Sequence, residues 1–275
     1  MPLHLDAFVL EDTAERIYDF LLEDAQTAEP VYISKDKTVA HLRKRLKDDL
    51  SGQEFGSVIY TIKMDREEDT ISIIDIDIVP DSLRSTKLTF MEKLPSSSEA
   101  NEYYNAEVTG KICQIQVETV NRNACDEEIV DTDRDVFLSA FPFSVNMFNS
   151  MDEVNERFKA KGKKEVGDTG LEIGGFADEF AAPSTFFTAG KDSDETFTYF
   201  FGRVSTIRTV KCSDLGEKVS FLLVYVDCAM GLIPVVMSQN CFDLEDINLG
   251  KILEIRADIK ADFSTYPPKE KVELI

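Results

Sequence analysis

Tryptophan is absent, and histidine nearly so, with only His4 and His41 in 275 residues. A Ser-His-Asp or Cys-His arrangement would have to use one of these two. His4 lies in the first few residues. His41 has Lys37, Lys44 and Arg45 three or four positions away and no carboxylate placed to orient its ring. It is expected on a solvated helix face, outside any catalytic role. The five cysteines, 113, 125, 212, 228 and 241, form no CxxC pair. Their odd number and wide spacing point to reduced thiols in a cytoplasmic protein and away from a disulfide framework or a Cys/His metal site. Basic residues are scarce, 30 against 52 acidic, for a formal charge of −22. A field of that sign opposes general binding to nucleic acid or anionic membrane. Glycine (13) and proline (9) are too few, and hydrophobic residues (43%) too many, for a disordered or collagen-like chain. Long apolar runs are also missing. The longest uncharged stretch, 136–151, is interrupted by Pro142, Ser144, Asn146 and Asn149 and falls short of the ~20 residues that span a bilayer. The first residues carry no basic and apolar signal-peptide pattern. The expectation is a soluble cytoplasmic protein.

What is present reads as helices followed by many strands. Thr13 leads into Ile17, Phe20 and Leu21 at helical spacing, and Val39, Leu42, Leu46 and Leu50 suggest a second helix over 36–50, stopped by Gly52. Two alternating runs, 56–64 and 70–79, flank a polar turn and read as a hairpin. Residues 87–94 read as a further strand, and Pro95-Ser96-Ser97-Ser98 as a linker. Residues 103–120 alternate like one long strand. Ser150 and Glu153 form a capping box that starts a helix. Residues 163–196 read as a long connector. Its glycine-rich piece, Gly167 to Gly175, matches no phosphate-loop spacing and carries Asp168 and Glu172, which would repel a phosphate.

The last third is the most regular. Strand-like runs cover 197–210, 217–228 and 231–238, with breaks at Asp214-Leu215-Gly216 and Ala229-Met230-Gly231. A short helical piece at 241–247 precedes a clean alternation over 250–262: Leu253, Ile255, Ala257 and Ile259 on one face, Glu254, Arg256, Asp258 and Lys260 on the other. A fifth strand is expected at 271–275. This order and these glycine positions resemble an OB-fold, a small five-stranded barrel; Pro234 would need an edge or a bulge. The expected class is α+β: N-terminal helices with antiparallel strands, then a C-terminal OB-like five-stranded β-barrel. The division expected is 1–95, 96–195 and 196–275.

The OB resemblance implies a ligand face. Phe197, Tyr199 and Phe201 alternate toward Arg203 and Ser205, and Phe221, Leu223 and Tyr225 do the same on the next run. Exposed aromatics in such barrels stack on single-stranded bases while cations meet phosphates. Tyr199, Arg203, Arg208 and Tyr225 are the candidate ligand-binding residues, against the alternative that these aromatics are core. Asp75 and Asp77 share one face of a strand, about 7 Å apart at ~3.3 Å per residue. They invite a divalent metal, but polar residues at this period equally describe the wet face of a half-buried strand, so no metal and no cofactor is expected. Residues 35–47 hold six basic residues against Asp36 alone. This stretch either docks an acidic partner or neutralises an acidic surface of its own protein, and the second is preferred.

The function expected is non-enzymatic binding of another protein. The uncharged segment with Phe137, Phe141, Phe143, Met147 and Phe148 is a candidate interface, with internal burial as its alternative. Other classes stay open: an acidic inhibitor or immunity-type protein for a basic partner, or a binder of single-stranded nucleic acid or a small ligand through the barrel. Duplex nucleic acid and membrane are not expected as partners.

Overall fold

The computed structural model describes residues 8, 17, 19, 21–23, 25–34, 38–65, 70–95, 102–111, 113–120, 128–157, 197–216, 219–238 and 247–263. Of these, 67% are strand and 11% helix, which overturns the α+β class. The error concentrates in residues 36–50. Leu42 and Leu46 are four apart, a separation that suits one helix face and equally one strand face, because four is two strand repeats. Here Ala40, Leu42 and Leu46 are buried on one face of strand β2 (Val39–Lys47). Residues 17, 19 and 21–23 of the first expected helix are helical, with Ile17 and Leu21 buried.

Strand β2 lies between β1 (Glu29–Ile33) and β3 (Glu54–Asp65), and β3 pairs with β4 (Thr70–Pro80), the expected hairpin. These form a four-stranded antiparallel sheet in the order β1-β2-β3-β4. The remaining strands are β5 (Thr86–Leu94), β6 (Glu102–Val108), β7 (Gln114–Thr119), β8 (Thr132–Phe148), β9 (Thr198–Lys211), β10 (Ser220–Cys228), β11 (Gly231–Met237) and β12 (Ile252–Asp262). The expected long strand over 103–120 is therefore the hairpin β6–β7, folded at Gly110, whose φ of 78° suits glycine. Strand pairings link β10-β11-β8-β5-β6-β7-β12-β9 into a ring, with β8 and β12 also paired across it.

That cross-pairing overturns the C-terminal five-stranded barrel. Strand β12 bonds to β8 from Ile252↔Phe148 to Asp262↔Phe137 along one edge. Its other edge is shared: β9 takes Ile252 to Ala257, and β7 takes Lys260 and Ala261. The C-terminal strands thus complete their pairing with β7 and β8, from before the connector. Pro142 leaves its mark in β8. The register shifts there, Arg256 facing Ser144 and Ala257 facing Pro142, so Phe143 is the extra residue of a bulge and is 52% exposed. Pro234 lies on β11, which meets β8 only at Val235↔Ala140.

Two cores result. One fills the ring, with Phe90, Tyr104, Ile115, Leu138, Phe200, Val224 and Ile255 among its residues. The other lies between the outer face of the ring and the four-stranded sheet: Leu42, Phe55 and Tyr60 meet Val210, Phe221 and Leu223, joined by Phe8, Ile17 and Leu21. The rings of Phe55 and Phe221 contact edge-on at 5.6 Å. The candidate interface at 136–151 is the middle of this construction: Phe141 and Phe148 are buried, Phe137 and Met147 half-buried, and Phe143 exposed. The helix after Ser150 forms over 151–157, the N–H of Glu153 donating to Ser150 Oγ at 3.3 Å and the carboxylate of Glu153 accepting from the N–H of Asn149 at 2.6 Å. No helix among the described residues is long and apolar enough to cross a membrane. The linker residues 96–98, the connector with its glycine-rich piece up to 196, residues 241–246 of the helical piece expected at 241–247, and the strand at 271–275 lie outside the described residues.

Candidate functional site

The four residues nominated for ligand binding lie along the outer side of β9 and β10, where Tyr225 is buried, Tyr199 and Arg208 are half-buried and Arg203 is exposed. Tyr199 packs with Phe148, Val154 and Phe201 under the 151–157 helix. Its hydroxyl donates to Glu254 Oε1 at 2.6 Å, and Arg157 from that helix holds the other Glu254 oxygen at 3.0 Å. Burial first, and then this bond to Glu254, push the Tyr199 phenol above its usual range. Tyr225 sits in the second core and donates to the carbonyl of Asp81 at 3.1 Å. Arg208 reaches across to the β2–β3 turn, bonding Asp48 Oδ2 at 2.9 Å and Ser51 Oγ at 2.8 Å. Burial opposes ionisation of Asp48, yet Ser51, Arg208 and the N–H groups of Lys211 and Leu50 hold its carboxyl down at about 2. Arg203 alone is exposed, donating to the carbonyl of Gly250 at 3.4 Å. Tyr199 thus meets the 151–157 helix, and Tyr225 and Arg208 meet the β1–β4 sheet and its β2–β3 turn.

The polar face of β4 is the second departure. The alternation is as read, but Asp77 is fully buried. Its Oδ1 accepts from Lys260 Nζ at 2.6 Å, and the same ammonium lies 2.8 Å from Glu118 Oε2. Lys260 and Glu118 are register partners on β12 and β7, and Asp77 is brought to them by the four-stranded sheet. Lys260, on the polar face of the alternation in β12, is buried, because that sheet covers this part of the strand. Burial drives the Asp77 carboxyl up, to about 7, against the pull of Lys260 and with help from Asp75 and Glu118. Burial works to strip the proton from Lys260, and the two carboxylates outweigh it and keep the amine charged. The Tyr103 hydroxyl bonds to Glu118, and burial raises that phenol as well. Nearby, Arg43 pairs with Asp262 at 2.7 Å. An ammonium thus stands where two acids would otherwise call for a cation, and no group of three metal-ligating side chains occurs among the described residues.

His41 is on this same face of the sheet, not on a solvated helix. It is buried, its Nδ1 3.2 Å from Thr61 Oγ1, and its ring lies 5.9 Å from that of Tyr32. Burial, then the positive charge of Arg43, lower it to about 4. Cys212 and Cys228 are buried thiols pushed up to about 12, chiefly by burial.

Sequence reading passed over Lys260 and Glu118. Each sits in an alternating strand where a charged residue signals only solvent, and their meeting with Asp77 depends on the packing of one sheet on another. A cleft of about 460 Å³ was equally invisible, since the start of β5, the β6–β7 turn and the β10–β11 turn build it together. Arg84, Lys87 and Lys111 line it against the single acid Asp227. Lys87 pairs with Asp133 at 2.9 Å and Lys111 donates to the carbonyl of Ala229 at 2.7 Å.

No family model, curated protein or solved structure matches the chain.

Proposed function

We propose that the chain acts by binding a basic protein partner, in the cytoplasm and without catalysis. The observation that carries this reading is the fate of its one basic stretch. Arg43 pairs with Asp262 at 2.7 Å, Lys44 with Asp214 at 3.7 Å, and Arg45 with Asp81 at 2.5 Å and Glu54 at 2.9 Å. Three of the six cations of the stretch are thus engaged within the molecule, and the chain as a whole carries −22. Opposite fields steer association and speed encounter, and the effect fades as salt screens it. The same field works against duplex nucleic acid and anionic membrane. The neutral, sealed imidazole of His41 and the raised thiols of Cys212 and Cys228 favour binding over nucleophilic chemistry. Buried Cys212 and Cys228, held as thiols, fit a reducing compartment.

The test is capture from native lysate followed by stopped-flow association of the purified partner at rising ionic strength. A basic partner whose association rate falls about tenfold or more between ~0.05 and ~0.5 M salt is expected. A partner without net positive charge, or a rate indifferent to salt, overturns the reading.

The cleft favours a second reading, a small anionic ligand. Its size lies within the range of small-molecule sites, ~300–1,000 Å³, and three cations line it in a chain otherwise dominated by acids. Calorimetric titration with nucleotides and with the matching uncharged nucleosides decides it. Binding of the phosphorylated forms alone, lost in Lys111→Glu, is the supporting result; equal heats for both series would refute it.

A further inference from the structure

The buried trio of Lys260, Asp77 and Glu118 has a property that an ordinary ion pair lacks: it holds two acids for one amine. Buried as they are, both acids cannot ionise beside a single ammonium without leaving an uncompensated negative charge. One of them takes a proton, and Asp77, the more deeply enclosed, is the one burial favours in its neutral form. The trio therefore sets one amine in contact with two acids, of which Asp77 is the one that burial favours as a neutral carboxylic acid. These are a nucleophile, an electrophile and a base.

We propose that Lys260 and Asp77 become joined by an intramolecular isopeptide bond, with Glu118 carrying the protons. Lys260 Nζ gives a proton to Glu118, 2.8 Å away, and the free amine attacks Cγ of Asp77, the carbon bearing the Oδ1 that lies 2.6 Å from Nζ. The new C–N bond makes a tetrahedral centre. Glu118 returns its proton to the departing Asp77 hydroxyl, the C–O bond breaks, and water leaves. The second amine proton passes to Glu118, which ends as a neutral acid. Of the three ammonium protons, one remains on the amide nitrogen, one departs in the water and one rests on Glu118. Nothing is oxidised or reduced, and no co-reactant is needed.

Three features of the site favour the condensation. The groups are held in contact by strands, and such fixed geometry is worth an effective concentration of order 10⁵ M or more. The cluster of Ile59, Val79 and Val120 lies alongside: Ile59 is the register partner of Asp77, and Val79 and Val120 follow Asp77 and Glu118 by two residues. Water is thereby kept from the site that must release it. The products are also neutral, in a site where charged groups have surrendered their hydration. The product would tie β4 to β12, fastening the four-stranded sheet to the ring.

The test is the intact mass of the purified full chain under denaturing conditions, followed by peptide mapping. The expected result is a mass lower than the sequence by one water, with a branched peptide joining the segments that contain Asp77 and Lys260. The branched peptide separates this from a cyclised aspartyl residue, which loses the same mass without joining two segments. Lys260→Arg and Asp77→Ala should restore the full mass. Glu118→Gln, checked for a native circular dichroism spectrum, should be folded and unlinked. A wild-type chain that keeps its full mass after prolonged incubation overturns the proposal whatever the variants do. So does a link mapped to any other pair, or a Glu118→Gln chain linked as fast as the wild type.

Discussion

His41 shows how far burial alone can set a residue's chemistry. Its imidazole stays neutral down to about 4 in the folded chain, against ~6.5 in an unfolded one. As pH falls, the unfolded state therefore binds the proton first. The contribution of His41 to stability is complete above pH 6.5 and is lost progressively as pH falls toward 4, by roughly 3 kcal/mol. Asp77, as the free carboxyl, works in the opposite sense. Its raised value lets the folded state take up a proton first, so its contribution grows as pH falls from about 7. A comparison with His41→Asn, which keeps a partner for Thr61, removes that background. Urea unfolding at pH 7 and pH 4 should cost the wild type about 3 kcal/mol more than the variant; equal losses would show that the ring is accessible to protons. The sequence placed His41 on a solvated helix face, and it had no means of seeing that the residue is buried on a strand. Asp77 was legible in the same partial way. Its alternation with Ile76 and Ile78 announced which face it is on, while the amine that meets it is 183 positions away in the chain.

Within single elements the sequence was legible wherever one period ruled out the other. The β3–β4 hairpin and the strands β9 to β12 fall close to their expected limits, because alternation over many residues has no helical counterpart. Residues 36–50 failed because a spacing of four satisfies both periods, and only the pairing of β2 with β3 decides. Residues 103–120 failed because Gly110 was read as part of an alternation it interrupts. Glycines also give a clean contrast between conformation and packing. At Gly202, where β9 faces β10, an added Cβ would lie 2.2 Å from Val226 Cγ1 and 2.9 Å from the carbonyl oxygen of Asp227. Neither the strand nor a branched side chain can give that much. Gly110 has a positive φ but open space around it, with nothing within 4 Å. Gly202→Ala should cost about 3 kcal/mol or more in equilibrium unfolding, and Gly110→Ala about 1 kcal/mol. A reversed order would mean that the β9–β10 pair yields more readily than its packing implies.

At the scale of the molecule, the strands of the last third were readable, and their closure was not. Strand order within a segment is a local property, whereas the edges of β12 are completed by β7 and β8, and the outer face of β10 by a sheet from the N-terminal end. This changes what is expected of the fragment 196–275. Removed from the chain, it loses the partner along one whole edge of β12 and uncovers Val210, Phe221, Leu223 and Val236 on its outer side. Each such side chain is worth about 1.5–3 kcal/mol when fully buried. Together they rival the ~5–15 kcal/mol by which an entire domain is stable. The inner face suffers too, since Phe200, Val224 and Ile255 pack in a core shared with Phe90, Tyr104 and Ile115. The fragment should therefore show amide hydrogen exchange close to that of an unstructured chain, while the same amides in β9, β10 and β12 of the full chain are strongly protected. Protection of those strands in the isolated fragment would mean that they form a self-sufficient unit, and that the sheet and β8 only decorate it. Uniform exchange in the fragment, with protection in the full chain, would place the stability of the C-terminal strands in contacts with residues before the connector.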